Sequence, residues 1–358
     1  MFVQLLMDID LILPLLRSAK SRNDLVPLAC VSDQVAAQIP GVLESLRSHG
    51  IRFEVIRHDE IISGQRPQLR AIDALVSASE STANPHRAAH MLTNRANAKG
   101  LRTYTIQHGF ENIGLTYFDQ IHNSENIRFA SHRIFTWCPT ERLHTEVPEE
   151  TRRKCLPVGC CKELGMDLQD LAKPGSQKFL VGVFENLHWH RYDANYRNRF
   201  LADLIETARN FKETTFLLKP HPAGRWLTQR YKGPLPDLEN IIVANPGDPN
   251  WKEYTGPIIV GMADGVITTP STVALDAARC GRPVAITGYD LSLENYEPLP
   301  ILRSSQDWQS FVNQLYSDSA DTGAELTALI SSFLKDGLVP GDACRRILDY
   351  ISNDISTH

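Results

Sequence analysis

The sequence is short of three features, each of which would have pointed to a particular class of protein. No uninterrupted apolar run reaches the roughly 18–20 residues that span a bilayer, so we expect a chain that is soluble or at most lies on a membrane surface. Its seven cysteines form no Cys-x-x-Cys pair and no repeated spacing, which argues against a zinc site or a disulfide framework and favours a reducing cytoplasm. Lys and Arg total 37 against 42 Asp and Glu, so no overall basic surface attracts nucleic acid, and an anionic ligand needs a local site.

What the sequence does have is an ordinary globular composition over a length that suits two domains. Hydrophobic residues make up 42% and charged residues 22% of the 358 positions, and a domain commonly holds roughly 100–200 residues. The apolar start of the chain has no basic leading segment, and Asp8 and Asp10 interrupt it. We therefore interpret it as a first strand that runs into a helix, not as an export signal.

Short apolar runs alternate with helical segments in the first half of the chain, as in a parallel sheet with crossover helices. A helix is predicted between Pro40 and Gly50, and another from about Pro85 to Lys99, closed by Gly100. The predicted strands of this half are Phe2–Met7, Leu25–Val31, Ile51–Ile56, Ala74–Ala78, Arg102–Gln107 and Arg133–Trp137.

The alternation breaks over Glu163–Gln177, which is rich in glycine, proline and serine, and then starts again. A helix with apolar residues spaced close to 3.6 is predicted over Tyr196–Phe211, and amphipathic helices are predicted near the end of the chain, over Trp308–Tyr316, Ala324–Leu334 and Asp342–Ile351. The predicted strands of this half are Phe179–Phe184, Thr215–Leu218, Ile241–Ala244, Gly265–Thr268 and Pro283–Thr287.

These patterns predict an α/β fold of two Rossmann-like domains that face a central cleft. We expect an N-terminal domain over residues 1–165, a C-terminal domain over 176–340, and a last helix over 341–358. Open parallel sheets bind ligands outside the carboxyl ends of their strands, so the residues at those ends are the first candidates for function.

The first candidate segment is Gln107-His108-Gly109, which directly follows a strand-like run in the first half. An imidazole with a pKa near 6.5 can accept a proton from a hydroxyl at neutral pH, and Glu111 is near enough in sequence to orient or replace it. The alternative is a histidine that is hydrogen-bonded inside an ordinary turn.

The second candidate segment is Lys219-Pro220-His221-Pro222, at the end of a predicted strand in the second half. The two prolines stiffen the backbone on both sides of His221. Lys219 would supply charge to a phosphate, and His221 would donate a hydrogen bond and protonate a leaving oxygen. The alternative is a rigid loop without function.

The third candidate segment is the run 268–272, Thr-Thr-Pro-Ser-Thr, where a strand ends and a helix begins. We interpret Ser271 as an N-cap or first-turn residue, with the hydroxyls of Thr269, Ser271 and Thr272 beside free backbone N–H groups, an arrangement that favours anions. Asp276, about a turn further on, could accept hydrogen bonds from ribose hydroxyls or face solvent. The alternative is an ordinary strand–helix junction.

In these residues the chain resembles glycosyltransferases of the GT-B fold, and among them the bacterial surface-polysaccharide group of CDP-glycerol glycerophosphotransferases and capsule or lipopolysaccharide Kdo transferases. From the first to the last, the matching motifs span about half of the chain. They are Gln107-His108-Gly109, Lys219-Pro220-His221-Pro222, Ser271-Thr272 with Asp276, and Gly281-Arg282-Pro283.

The resemblance implies that the C-terminal domain binds the nucleotide of the donor and that the last helix, over 341–358, packs back on the N-terminal domain. His221 and the helix start at Ser271 would hold its phosphate, and His108 or Glu111 would lie near the acceptor. Glu185, which follows the strand Phe179–Phe184, is expected to bind the donor or, equally, to cap a helix. Gly109 and Lys219 are expected among the substrate-binding residues.

No metal ion or other resident cofactor is expected, because helix dipoles and basic residues stabilise the leaving phosphate in enzymes of this fold. The sole Asp-x-Asp sequence, Asp8-Ile9-Asp10, is weighed as a metal site and not favoured.

The function expected from the sequence is transfer of a glycosyl or polyol-phosphate group from a nucleotide-activated donor, with a cytidine-linked donor such as CMP-Kdo as the example, to a bacterial cell-surface glycan or lipid-linked glycan. The alternatives are a sugar-nucleotide 2-epimerase of the same fold and a non-catalytic nucleotide-sugar-binding subunit. The expected location is the cytoplasm, with peripheral contact at the inner face of the membrane left open, as is the oligomeric state.

Overall fold

Each half of the chain forms its own parallel β-sheet with flanking helices. The computed structural model describes residues 1–110, 126–164, 171–222, 224–317 and 320–357, and every structural statement below concerns these residues. The chain divides into unit 1, Met1–Glu163 with Asp336–His358, and unit 2, Leu164–Lys335. Unit 1 thus ends its first stretch inside the segment that interrupts the strand–helix alternation.

Unit 1 contains a sheet of seven parallel strands in the order β3-β2-β1-β4-β5-β6-β7. The strands are β1 (Phe2–Val3), β2 (Leu28–Ser32), β3 (Arg52–Ile56), β4 (Ala74–Ser77), β5 (Arg102–Ile106), β6 (Arg133–Thr136) and β7 (Cys155–Pro157). The helices of its first stretch are α1 (Ile9–Lys20), α2 (Asp33–Gln38), α3 (Gly41–Ser48), α4 (His58–Ile62), α5 (Arg87–Asn97) and α6 (Glu149–Arg152).

Unit 2 contains a sheet of six parallel strands in the order β10-β9-β8-β11-β12-β13. The strands are β8 (Phe179–Glu185), β9 (Thr214–Pro220), β10 (Ile241–Val243), β11 (Gly265–Thr268), β12 (Val284–Thr287) and β13 (Ile301–Leu302). The helices are α7 (Ala194–Asn210), α8 (Gly256–Met262), α9 (Val273–Arg279), α10 (Ser305–Leu315) and α11 (Ala320–Gly337), the last of which continues into unit 1.

The helix α12 (Ala343–Ser356) belongs to unit 1 although it lies at the other end of the sequence. Arg22, just beyond α1, forms an ion pair with Asp349 at 2.5 Å. The hydroxyl of Tyr104 on β5 donates to Asp354 at 2.7 Å. These contacts attach α12 to helix α1 and to the middle of the sheet.

The cores explain why these helices form where they do. In unit 1 the apolar face of α5, which includes Leu92, is buried against side chains of β1, β2 and β4. In unit 2 Phe200 of α7 and Trp308 of α10 are fully buried with their rings 5.5 Å apart over the sheet. Burial of one apolar face is what stabilises an amphipathic helix in a folded protein.

The predicted α/β class and both parallel sheets are confirmed, whereas several single elements differ from the prediction, β1, β9 and β13 among them. The first strand is only Phe2–Val3 because the Asp8 carboxylate accepts the N–H groups of Gln4 and Leu5, both at 2.9 Å, and turns the chain. Strand β9 extends through Lys219 and Pro220, which were expected to follow it. The two-residue strand β13 was not predicted.

Within the described part of the chain, no helix has the length and apolar character needed to cross a membrane.

Candidate functional site

The sheet order of unit 2 brings two of the predicted segments and Glu185 to one edge. Strand β8 lies between β9 and β11, and in the register Phe184 of β8 pairs with both Lys219 and Thr268. Glu185, His221 and Thr269 therefore leave the sheet side by side at its carboxyl edge. The chain runs from β8 outward in one direction and then returns to place β11 on the other side, so this edge is a topological switch point, the usual ligand position in open α/β sheets.

Lys219 carries a charge that has no counter-ion in the part of the chain that the structure describes. Its side chain is half-buried at the end of β9, and no hydrogen bond or ion pair to it is found among the described residues. Burial lowers the pKa of Lys219 to about 8, so the amine is still mainly protonated at pH 7. A partly desolvated ammonium group without a partner is costly, and an anionic ligand would offset that cost.

His221 begins an unusual loop directly after β9. Its Nδ1 accepts the N–H of Gly224 at 3.2 Å, so the neutral ring carries its proton on Nε2. Burial lowers the pKa of His221 to about 4, and the ring is therefore a neutral N–H donor at pH 7. Arg225 follows in the left-handed conformation with φ 46°, and Trp226–Arg230 forms a π-helical turn. Both backbone features are rare and are concentrated at functional sites.

Glu185 lies beneath this loop, not at the surface. It is the last residue of β8, is 3% exposed, and its Oε2 accepts the N–H of Leu187 at 2.7 Å. Burial raises the pKa of Glu185 to about 7, and the backbone N–H groups of Leu187, Leu227 and His221 counteract that rise. The carboxyl group thus joins the turns that follow β8 and β9, and the N–H of Leu227 lies in the first turn of the helical segment Trp226–Arg230, as the helix-capping alternative predicts.

The hydroxyl groups of the third segment are largely committed to the protein itself. Thr269 is fully buried, donates to Asn186 Oδ1 at 2.6 Å and accepts the Asn186 N–H at 3.1 Å. Ser271 Oγ lies 3.0 Å from Thr268 Oγ1 and accepts the N–H of Val273 at 3.2 Å.

The helix at this segment is short and begins later than expected. Helix α9 has seven residues, and its N-cap is Thr272, not Ser271. Asp276 is 3% exposed, so the solvent-facing alternative for this residue is wrong. Among the three segments, Lys219 and His221 are therefore better placed than the helix start to meet an anion.

The first predicted segment lies at the corresponding edge of unit 1. His108 follows β5, and its ring meets that of His86 edge to face with centroids 4.8 Å apart. Burial lowers the pKa of His108 to about 4. His86 is 3% exposed, and its Nδ1 lies 2.9 Å from the Ser81 hydroxyl. The backbone at Gly109 is fixed by Gln107, whose side-chain amide donates to the Gly109 carbonyl at 2.9 Å; Glu111 lies outside the described residues.

The Asp-x-Asp sequence does not form one site. Asp8 is 1% exposed and accepts hydrogen bonds from two backbone N–H groups and from Ser79, and burial raises its pKa to about 6. Asp10 is half-exposed and lies 3.7 Å from Lys162. Among the described residues, no group of three or more His, Cys, Asp or Glu side chains is arranged to hold a metal ion.

Sequence reasoning missed several residues that the structure places at these two edges. His188 and Gly224 adjoin His221 in unit 2, and His86 with Ser81 adjoins His108 in unit 1. A signal was present, because His86 and His188 each lie within ten residues of the end of a strand, β4 and β8.

Comparison with known proteins shows the fold of the chain and leaves its family open. No family model matches the sequence, and no curated protein matches it. The solved structure of a putative UDP-N-acetylglucosamine 2-epimerase from Listeria monocytogenes is similar, with a TM-score of 0.66 and 13% identity over 100% of this chain and 96% of that one. UDP-GlcNAc 2-epimerase from Neisseria meningitidis bound to UDP-GlcNAc matches with a TM-score of 0.63 and 11% identity over 98% of each chain.

A glycosyltransferase of kitacinnamycin also matches, with a TM-score of 0.59 and 13% identity over 99% of this chain and 97% of that one. Identities this low establish architecture only. The chain therefore has the two-domain GT-B fold, as the sequence predicts.

Proposed function

We propose that the protein is an enzyme of nucleotide-activated sugars, a GT-B glycosyltransferase that moves a glycosyl or polyol-phosphate group to a cell-surface glycan or lipid-linked glycan. The observation that supports this most directly is the pairing of Lys219 with His221. A half-buried ammonium group without a counter-ion and a neutral imidazole with its N–H on Nε2 lie at the switch point of one sheet. Together they offer charge and a directed donor to a phosphate.

The proposed chemistry in unit 2 is stabilisation of the leaving nucleotide. As the bond between sugar and phosphate breaks, negative charge grows on the phosphate oxygens, and Lys219 and His221 interact with that charge more strongly than with the intact donor. Such preorganised groups lower the barrier without a metal ion. Thr269, Ser271, Thr272 and Asp276 are proposed to complete the donor site, and Glu185 to position the loop that carries His221.

The proposed chemistry in unit 1 is activation of the acceptor. His108 is unprotonated at pH 7 because burial lowers its pKa to about 4, so its ring can accept a hydrogen bond from an acceptor hydroxyl. A base of such low pKa removes a proton weakly by itself. We therefore assign proton removal to His108 together with Glu111, as the sequence motif implies.

A sugar-nucleotide 2-epimerase is the second candidate function. Several solved structures with the same architecture are described as UDP-GlcNAc 2-epimerases, one of them from Methanocaldococcus jannaschii in complex with UDP-GlcNAc and UDP. The proposed phosphate contacts of Lys219 and His221 would serve either reaction, because in both the nucleotide phosphate is bonded to the anomeric carbon of the sugar.

Two measurements test these proposals in order. Thermal unfolding with CMP, CDP, UMP, UDP and GDP identifies the nucleotide, since a ligand at a hundred times its Kd stabilises the fold by about 2.7 kcal/mol. The protein is then incubated with the sugar donors of that nucleotide, CMP-Kdo among them, with and without glycan acceptors. EDTA is present to remove metal ions, and nucleotide release and the donor sugar are analysed.

Nucleotide release that depends on the acceptor supports transfer, and a changed donor sugar without acceptor supports epimerisation. Nucleotide binding without either product would show a non-catalytic subunit. If none of the five nucleotides stabilised the fold, the whole proposal would be contradicted.

A further inference from the structure

His188 lies three residues after β8, in a turn that is held firmly on both sides. The guanidinium group of Arg197 donates to the carbonyl of Leu187 at 2.9 Å and to that of Trp189 at 3.2 Å. The His188 ring itself makes no hydrogen bond to any described residue, and its Nδ1 is buried without a partner. A buried polar atom that stays unpaired in a well-held turn calls for an explanation.

Gly224 links this ring to His221. An added Cβ at Gly224 would lie 2.1 Å from both Cγ and Nδ1 of His188, so the ring occupies the space that any side chain at position 224 would need. The N–H of the same glycine donates to His221 Nδ1. Gly224 thus contacts one imidazole through its Cα and fixes the tautomer of the other through its nitrogen.

The two rings form a pair, with centroids 4.7 Å apart and planes tilted by 38°. Burial lowers the pKa of His188 to about 3, and the neighbouring basic side chains of His221, Arg230, Arg197 and His190 disfavour a proton on the ring further. Both imidazoles are therefore neutral at pH 7.

The tautomer of His188 follows from what faces Nδ1. Among the described residues no acceptor faces Nδ1, so an N–H at that atom would stay buried without a hydrogen bond. The proton is thus expected on Nε2, as in His221, and Nε2 is not among the buried atoms without a partner.

We propose that His188 is a second phosphate-binding residue, and that His188 and His221 act as a pair of imidazole N–H donors to the oxygens of one phosphate or pyrophosphate group. The inference rests on the proposed function where it names a nucleotide as the owner of that phosphate. Two neutral donors, with Arg197 and Arg230 near one of them, suit an oxyanion because they add hydrogen bonds and do not repel each other as two charged rings would.

The test is the Kd of inorganic pyrophosphate for the full chain, measured by calorimetry with three variants. His188→Phe keeps a flat ring against Gly224 and removes both nitrogens, and we expect a loss of affinity of about tenfold to a hundredfold. His188→Gln retains an N–H donor and should recover part of the loss. His58→Phe, at an exposed position of unit 1, serves as the control and should bind as the wild type does.

A second measurement covers the case in which a variant folds poorly. In the wild-type protein, 15N NMR of the imidazoles should show Nε2–H for His188 and His221, and pyrophosphate should shift the signals of both rings. Unchanged affinity in His188→Phe, or a shift of the His221 ring alone, would overturn the proposal.

The outcomes separate this inference from the proposed function. If pyrophosphate binds through both histidines and no nucleotide binds, the paired site stands and the nucleotide-sugar function fails. If nucleotides bind, with affinity lost in His221→Phe and kept in His188→Phe, the function stands and the paired site fails. If neither pyrophosphate nor any nucleotide binds to the wild type, both fail.

Discussion

The carboxyl edges of the two sheets carry similar side chains, but the hydrogen-bond partners of those side chains differ. In both units a buried acid lies near the end of the first strand along the chain, Asp8 after β1 and Glu185 as the last residue of β8, and both edges carry a pair of histidines. In unit 1 the second histidine of the pair, His86, is satisfied by Ser81. In unit 2 the Nδ1 of His188 has no partner among the described residues, and Lys219 at the end of β9 has no counter-ion among them.

This difference in unpartnered polar groups indicates which edge can bind a charged ligand. Polar groups that bind each other in the free protein gain little from a ligand, whereas groups left without partners gain the full value of the new hydrogen bonds. We infer that phosphate recognition belongs to the edge of unit 2, and that the edge of unit 1 contributes shape and proton transfer.

The largest effects are expected when one histidine is removed from each edge, His221 in unit 2 and His108 in unit 1. His221→Ala should lower turnover by about a hundredfold to ten-thousandfold, because the leaving phosphate loses its directed donor, and should weaken nucleotide binding as well. His108→Ala should lower turnover and leave nucleotide affinity unchanged. Steady-state kinetics and calorimetry measure the two effects, with His58→Ala as the surface control; nucleotide affinity lost in His108→Ala alone would reverse the assignment.

The two buried acids, Glu185 and Asp8, should affect the free energy of unfolding in different pH ranges. Glu185 has a pKa raised from 4.5 to about 7, so the folded state binds its proton more tightly and the free energy of unfolding falls as pH rises from 4.5 to 7. The fall amounts to about 3 kcal/mol at about 1.4 kcal/mol per pKa unit. Glu185→Gln should abolish it.

Asp8 gives the same sign in a lower window, because its pKa is raised from 3.8 to about 6. Denaturant unfolding at pH 4.5, 6 and 7.5 should therefore show that Asp8→Asn alters the slope only below pH 6. Between pH 6 and 7.5 only Glu185→Gln should alter it. Equal behaviour of both variants above pH 6 would contradict the difference drawn between the acids.

The steric part of the comparison can be tested at Gly224. Gly224→Ala should destabilise unit 2 by about 1–3 kcal/mol, because the new methyl group overlaps the His188 ring. In the double variant His188→Ala/Gly224→Ala the ring is absent and the methyl group occupies its space. Most of the stability lost in Gly224→Ala should therefore be recovered. Urea unfolding of the two single variants and the double variant measures the coupling; additive losses would show that His188 is not what makes glycine necessary.

The smallest expected effect comes from making the edge of unit 1 resemble that of unit 2. Ser81→Ala removes the partner of His86 Nδ1 and should cost about 1 kcal/mol of stability without changing nucleotide affinity. Ser48→Ala, at an exposed helix position, is the matched control. A loss in Ser81→Ala no greater than that of the control would mean that His86 finds another partner.

Most of the sheet could be predicted from the sequence, because buried parallel strands are continuous apolar runs that end at glycine, proline or a polar residue. Strand β11 was predicted to the residue, Gly265–Thr268. The first strand was overestimated since the turn after Val3 depends on the carboxylate of Asp8, which an apolar pattern does not show. Two-residue strands such as β13 lie below the length at which periodicity is visible.

The site was less predictable, because its important contacts join residues that are distant in sequence. His221 stood out through the prolines on either side, whereas His188 has no such signal and becomes a candidate only when Gly224 is seen against its ring. The sequence showed the hydroxyl of Thr269 and could not show that Asn186, 83 positions earlier, binds it. Buried pKa values depend on such tertiary contacts as well.

The membership of α12 in unit 1 has a consequence for how the protein is made. Unit 2 is one uninterrupted stretch, Leu164–Lys335, and all of it is synthesised before α12. Unit 1 begins the chain and still lacks the helix that binds Arg22 and Tyr104 until the last residues appear. During synthesis the domain that starts first should therefore be completed last, reversing the usual N-terminal-first order of folding on the ribosome.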